Sequence, residues 1–310
     1  RSCQSICRSC EGIWAEIRIY FTTSPTRFFS NLVGIKYLTM KNDELIDKII
    51  TIEERFKEIV KVLEEKELVK DFSYRELYKG VISIQSKITF EPEILFIGIN
   101  PGCGAFTKKN YKTGKTYYFP KELISENKLN WLEENNTRCE KWLEVDKKAK
   151  NTFPRQMLDI LYKISDNKLN ISRDEDLKLF INEINNKIVY ANFCPIATKS
   201  TKELKIIYKK LSDENSLKDH WNGTVKNFFR QRTIDLILLL QPKLIVCVGN
   251  SVYKDLFLKD TSKKGKVFST IGVLKREGCE YPFKTVTFSR KGAWDTKKIS
   301  ELILKSEKLN

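Results

Sequence analysis

Apolar positions recur along this chain in two distinct rhythms. From Asp43 to about Lys70, Leu45, Ile46, Ile49, Ile50, Phe56, Ile59, Val60 and Leu63 return at three- and four-residue intervals, with charged residues between them. That spacing predicts an amphipathic helix laid with one face on a sheet. Four short runs then break the helical period, at 94–99, 188–191, 244–248 and 284–288. They are rich in β-branched and apolar residues with little alternation, as strands buried on both faces should be. Helical segments are predicted between them, at roughly 121–145, 153–165, 174–185, 201–211, 222–240 and 250–258. Strands alternating with helices predict an α/β protein, a three-layer αβα sandwich around a central four-stranded parallel sheet. In such a sheet the ligand crevice lies at the carboxyl ends of the strands.

The strand ends are therefore where chemistry is sought. The first runs into Gly98-Ile99-Asn100-Pro101-Gly102. Pro101 holds Asn100 extended, and the glycines let backbone approach a ligand closely. The second ends in Tyr190-Ala191-Asn192-Phe193-Cys194-Pro195. The Asn192 amide offers both a donor and an acceptor, which suits one edge of a pyrimidine, although an asparagine capping a turn is common. The third ends in Gly249-Asn250-Ser251 at a helix start, a place that can hold phosphate on exposed N–H groups and also an ordinary βα joint. The fourth runs into Ser289-Arg290-Lys291-Gly292, a basic loop able to touch a nucleic-acid backbone.

Charge sharpens that picture. Lys and Arg number 56 against 40 Asp and Glu, a formal net charge of +16, which favours a polyanionic partner; abundant Lys, Ile and Asn also fit an AT-biased genome. No run of 18 apolar residues occurs, so a membrane span is not expected. Of the eight cysteines, Cys103, Cys139, Cys194, Cys247 and Cys279 are scattered singly, as in a reducing, cytoplasmic compartment. Cys3, Cys7 and Cys10 have the C-x3-C-x2-C spacing of radical enzymes that carry an iron–sulfur cluster, but that motif belongs after a barrel's first strand and no strand pattern precedes it. Residues 1–39 hold Arg-Ser-Cys near-repeats and few acids, and are read as a non-native or disordered extension before Met40. Residues 40–310 are read as one domain with a helical insert around 121–185.

Taken in order, these strand ends resemble those of the uracil-DNA glycosylase superfamily. Gly98-Ile99-Asn100-Pro101-Gly102 is similar to the first signature of its mismatch-specific thymine/uracil branch. Asn192-Phe193-Cys194-Pro195 is similar to a signature of the single-strand-selective branch, and the 242–249 run PKLIVCVG to the third strand of many members. The resemblance covers about residues 92–310 and implies that family's αβα sandwich. It implies that Asn100 holds the water that attacks the sugar C1′ carbon, and that Asn192 hydrogen-bonds a base flipped out of the helix. It implies Tyr117 as the aromatic that stacks on the base, with Tyr118 and Phe119 beside it, and Gly102 and Cys103 at the pocket wall. Many members carry a histidine after the fourth strand. Here Ser289 stands in that stretch and takes the catalytic role expected there, while the single histidine, His220, lies in a helical connection. Arg290 or Lys291 would fill the gap left by the flipped nucleotide, and Ser251 and Lys199 complete the expected DNA contacts.

The resulting expectation is a monofunctional DNA glycosylase that acts on DNA without an obligatory protein partner. It needs no cofactor or metal, and no lysine stands out as a Schiff-base nucleophile. Its base is a damaged or C5-modified pyrimidine: uracil, mismatched thymine or a hypermodified phage cytosine, the last implying a role in defence. Two rivals stand beside it: a catalytically inactive reader of modified or abasic DNA, and a small-molecule α/β enzyme.

Overall fold

The structure, a computed structural model, describes residues 42–54, 88–100, 152–165, 176, 179–180, 183–184, 187–196, 198, 200–215, 218, 223–257, 267–289 and 294–307. In chain order the elements are α1 (Asn42–Glu54), β1 (Ile94–Gly98), α2 (Thr152–Ile164), β2 (Ile188–Asn192), α3 (Thr201–Asp213) and α4 (Val225–Leu240). They are followed by β3 (Leu244–Val248), α5 (Asn250–Leu256), β4 (Val267–Arg276), β5 (Cys279–Phe288) and α6 (Thr296–Glu307). The first helix is described only as far as Glu54, and the segments 1–39, 55–70 and 121–145 lie outside the described residues.

The fold is a mixed α/β one built on a sheet of order β2-β1-β3-β5-β4. The expected four strands are thus corrected to five. β2, β1, β3 and β5 pair in parallel, and β4 is added antiparallel at the edge. β1, β2 and β3 are buried at every position, as the unbroken apolar runs require. Because their side chains alternate, each strand feeds two cores. On one face Ile94, Phe96, Ile188, Tyr190, Val246 and Phe288 pack with Met157 and Leu161 of α2 and Ile299 and Ile303 of α6. On the other, Leu95, Ile97, Val189, Ile245 and Cys247 are equally buried, beside the apolar residues of α4 and α5.

The additional strand belongs to a hairpin. β4 and β5 pair from Val267↔Phe288 to Arg276↔Cys279, closed by Glu277 and Gly278. Both turn residues have positive φ, 52° and 81°, the geometry that matches the twist of a two-residue hairpin. β3 pairs with β5 only from Thr285 onward, so the outer half of β5 has no partner from β3. That explains how Pro282, which has no N–H to give, sits within a strand. The hairpin is tied to α4 by an ion pair between Arg276 and the buried carboxylate of Asp235, Nε to Oδ1 2.8 Å.

α2 and α6 are joined beneath the sheet by Asp159, which accepts hydrogen bonds from Lys163 and from the Thr296 hydroxyl. Burial alone would raise the Asp159 carboxyl, but those two hydrogen bonds and the Lys163 charge together hold it below its ordinary value. A carboxyl lowered by folding adds stability above its unfolded value, about 3.9, and loses that contribution as pH falls through its folded value. Asp159→Asn should therefore melt below the wild type at neutral pH, and thermal melts should show the gap narrowing under acid titration below about pH 4. A gap independent of pH would assign the effect to packing. At Gly278 a Cβ would meet nothing within 4 Å, so substitution there tests backbone strain alone. Gly278→Ala should cost about 1 kcal/mol, read as a lower urea midpoint with an unchanged slope.

Candidate active site at the carboxyl ends of the strands

Parallel pairing carries the ends of β1, β2, β3 and β5 to one edge of the sheet. Asn100 follows β1, Asn192 closes β2, Ser251 follows β3 and Ser289 follows β5. The two asparagines come from neighbouring strands. The ladder sets Gly98 opposite Asn192 and does not stop there. Phe193 N–H donates to Gly98 O at 2.8 Å, and Cys194 N–H to Ile99 O at 2.9 Å. These two bonds zip the loops together beyond the strands.

Asn100 is buried and its amide faces the second loop. Its Nδ2 donates to Ile196 O at 3.1 Å and to the Thr198 hydroxyl at 2.9 Å. Thr198 in turn donates to Ser200 O at 2.9 Å, and Ser200 caps α3 by accepting from Glu203 N–H at 3.2 Å. The Asn100 side chain is thus anchored, through Thr198, to the start of a helix. Both amide hydrogens are committed inside the protein, so a water held by this residue would donate to Oδ1.

Asn192 is fully buried. Tyr190, two residues earlier and on the same side of β2, donates its hydroxyl to Asn192 Oδ1 at 3.4 Å. The backbone around Asn192 is gripped by α4. Arg232 Nη1 donates to Asn192 O at 3.4 Å, and the Thr233 hydroxyl lies 2.9 Å from Phe193 O and 3.0 Å from Phe229 O, sharing its one proton. Arg232 is only 1% exposed, which for a cation requires compensation within the fold; its contact with a carbonyl beside the site is part of that.

Ser251 is exposed in the first turn of α5, a helix of seven residues. Gly249 before it donates to Phe288 O at 3.0 Å, coupling the end of β3 to the end of β5 just ahead of Ser289. β5 lies two strands from β1, so at a spacing of about 4.8 Å per strand Ser289 stands roughly 10 Å from the β1 end. Gly102, Cys103, Tyr117, Tyr118, Lys199, Arg290 and Lys291 lie outside the described residues. Among the described residues, no group of three or more His, Cys, Asp or Glu side chains is arranged to hold a metal ion, and no helix is long and apolar enough to cross a membrane.

Sequence reasoning passed over Tyr190, Thr198, Arg232 and Thr233. The signal for Tyr190 was its two-residue offset from Asn192, which puts both on one side of the strand. Nothing in the run Phe229-Arg230-Gln231-Arg232-Thr233 distinguishes the buried arginine from the half-exposed Arg230, whose guanidinium closes the last turn of α5 through Asp255 O and Leu256 O. Both core cysteines near the candidate site have thiols raised by burial. Burial pushes the Cys194 thiol up to about 11, opposed in part by the neighbouring polar groups of Tyr208 and Ile196 and by the Arg232 charge. Burial likewise pushes Cys247 up to about 12, opposed by the neighbouring Thr287 hydroxyl.

No family model and no curated protein matches the chain. The thiol chemistry is directly checkable. Iodoacetamide at pH 8 should label the exposed Cys279 while sparing Cys194 and Cys247, and urea should release both. Peptide mass mapping reads the outcome; native labelling of Cys194 at the rate of Cys279 would mean that the loop after β2 opens.

Proposed function

We propose that the chain is a monofunctional DNA glycosylase, a hydrolase of N-glycosyl bonds with a uracil-DNA glycosylase-like αβα fold. Its substrate is a damaged or C5-modified pyrimidine flipped out of DNA. The observation that carries the reading is the placement of Asn100 and Asn192 at the carboxyl ends of neighbouring parallel strands, each anchored by hydrogen bonds within the fold. The order of the signatures along the chain and the net charge of +16 support it further.

In this reading Asn100 Oδ1 accepts a hydrogen bond from water and points the water's lone pair at C1′. The C1′–N bond breaks and the base leaves with the electron pair. The water oxygen then bonds to C1′, one of its protons going to the departing base and the other staying as the new hydroxyl. Asparagine is a poor base, so the rate rests on stabilising the leaving base and the oxocarbenium-like sugar, and turnover is slow. Asn192 hydrogen-bonds the base edge. DNA enters along the basic loops and a flipped base is held at the crevice, the cost of unstacking being repaid by these contacts.

The competing reading is an inactive reader of modified or abasic DNA. It is favoured by the absence of a histidine at the end of β5, where Thr287-Phe288-Ser289 stands. One assay separates them. Purified full-length chain is incubated with duplexes containing uracil, a G·T mismatch, or hydroxymethyl- or glucosyl-cytosine, and abasic sites are cleaved with alkali. Strand breaks on one substrate are expected, with the rate falling about a hundred-fold or more in Asn100→Ala, the scale of losing one group that acts in the transition state. Binding without breaks on every substrate would leave the reader.

A further inference from the structure

Gly98 and Tyr190, which the roles above do not use, form a unit with Asn192. Gly98 sits opposite Asn192 in the β1–β2 ladder. A Cβ built on Gly98 would lie 2.4 Å from the Tyr190 hydroxyl oxygen and 2.7 Å from Asn192 Oδ1. Both distances are far inside van der Waals contact. The missing side chain of residue 98 is therefore the space in which the tyrosine hydroxyl and the asparagine amide meet. Tyr190 has little freedom to bring its hydroxyl elsewhere. Its ring is buried in the core formed with Ile94, Phe96 and Leu158, and its hydroxyl ends at the sheet edge where the asparagine begins.

An asparagine amide can turn over about its Cβ–Cγ bond, exchanging its donor for its acceptor. Turned one way it suits a base edge that offers a carbonyl; turned the other it suits an edge that offers an amino group. A hydroxyl is able to accept as well as to donate, so the tyrosine alone does not choose. The carbonyl end of Asn192 is nevertheless the end that faces it, at 3.4 Å, and the crowding over Gly98 leaves room for little else.

We infer that Tyr190 is a positioning residue that fixes the orientation of the Asn192 amide, and through it the base edge that the site accepts. This rests on Asn192 being the base-reading residue, as proposed above. Gly98 is the third member of the device, since any side chain there would push the two polar groups apart.

Tyr190→Phe tests the inference, because it removes one oxygen and leaves the packed ring. Base release by the full chain is measured on duplexes containing uracil opposite guanine and on matched duplexes with cytosine at the same place. The ratio of the two rates should fall about five- to ten-fold, the scale of one neutral hydrogen bond, with the melting temperature and the affinity for duplex DNA unchanged. A role in packing alone would lower the melting temperature and leave the ratio where it was. A second readout does not depend on activity. In the ¹⁵N spectrum the Asn192 side-chain NH₂ pair, assigned by its loss in Asn192→Asp, should shift and broaden in Tyr190→Phe, while the pair from Asn227 stays in place. Gly98→Ala should move the same signal. An unchanged Asn192 pair in Tyr190→Phe overturns the inference. If the wild type releases no base from any duplex, the glycosylase reading fails, and the amide signal still decides whether Tyr190 orients Asn192.

Discussion

The pairing of β1 with β2 continues for two hydrogen bonds past the last strand residues, through Phe193 to Gly98 and Cys194 to Ile99. Loops at the end of a sheet ordinarily go their own ways, and side chains on them gain precision only from further contacts. Here the backbone ladder itself sets the separation of the loops that carry Asn100 and Asn192. The remaining ties add to it from three directions. Thr198 links Asn100 to the cap of α3, α4 grips the carbonyls of Asn192 and Phe193, and Tyr190 meets the Asn192 amide from the core. A functional group held by a shell of this kind spends little entropy on being ordered at the moment of binding.

The central strands were legible because burial on both faces leaves a simple trace. The run 244–248 coincides with β3, and the run at 94–99 overshoots β1 by one residue. β2 extends one residue further than its apolar run, so Asn192 belongs to the strand and not to the loop after it. That extension matters, since the strand alternation then places Asn192 on the side of Tyr190. β4 was missed because its face is half exposed and its sequence mixes Ser, Thr, Gly, Lys and Arg with apolar residues, so no unbroken run appears. Its signal was instead local: two ten-residue segments of strand-compatible composition around Glu277-Gly278, a weaker turn sign than Asn-Gly.

The position of the two asparagines at neighbouring strand ends was legible, and their surroundings were opaque. Residues at strand ends are found from sequence by where the apolar runs stop. The residues that hold those in place answer only to geometry. Thr198 lies 98 positions from the Asn100 it contacts, and Thr233 40 positions from Phe193. No spacing rule reaches across such distances, and a threonine or arginine in a helix reads as surface until the sheet is assembled.

The sheet order also bears on how the chain is made. β1 is the first of the described strands to leave the ribosome, yet it lies between β2 and β3 and has neither edge at the rim of the sheet. From Gly98 to Val248 is 150 residues, so at 5–20 residues per second β1 waits roughly 8–30 s for its second neighbour to be synthesised. Until β2 is made Ile94-Leu95-Phe96-Ile97 offers two open rows of N–H and C=O groups on an apolar ribbon, and from then until β3 arrives it offers one. The strand that anchors the candidate site is therefore also a point on the nascent chain open to a chaperone, or to aggregation.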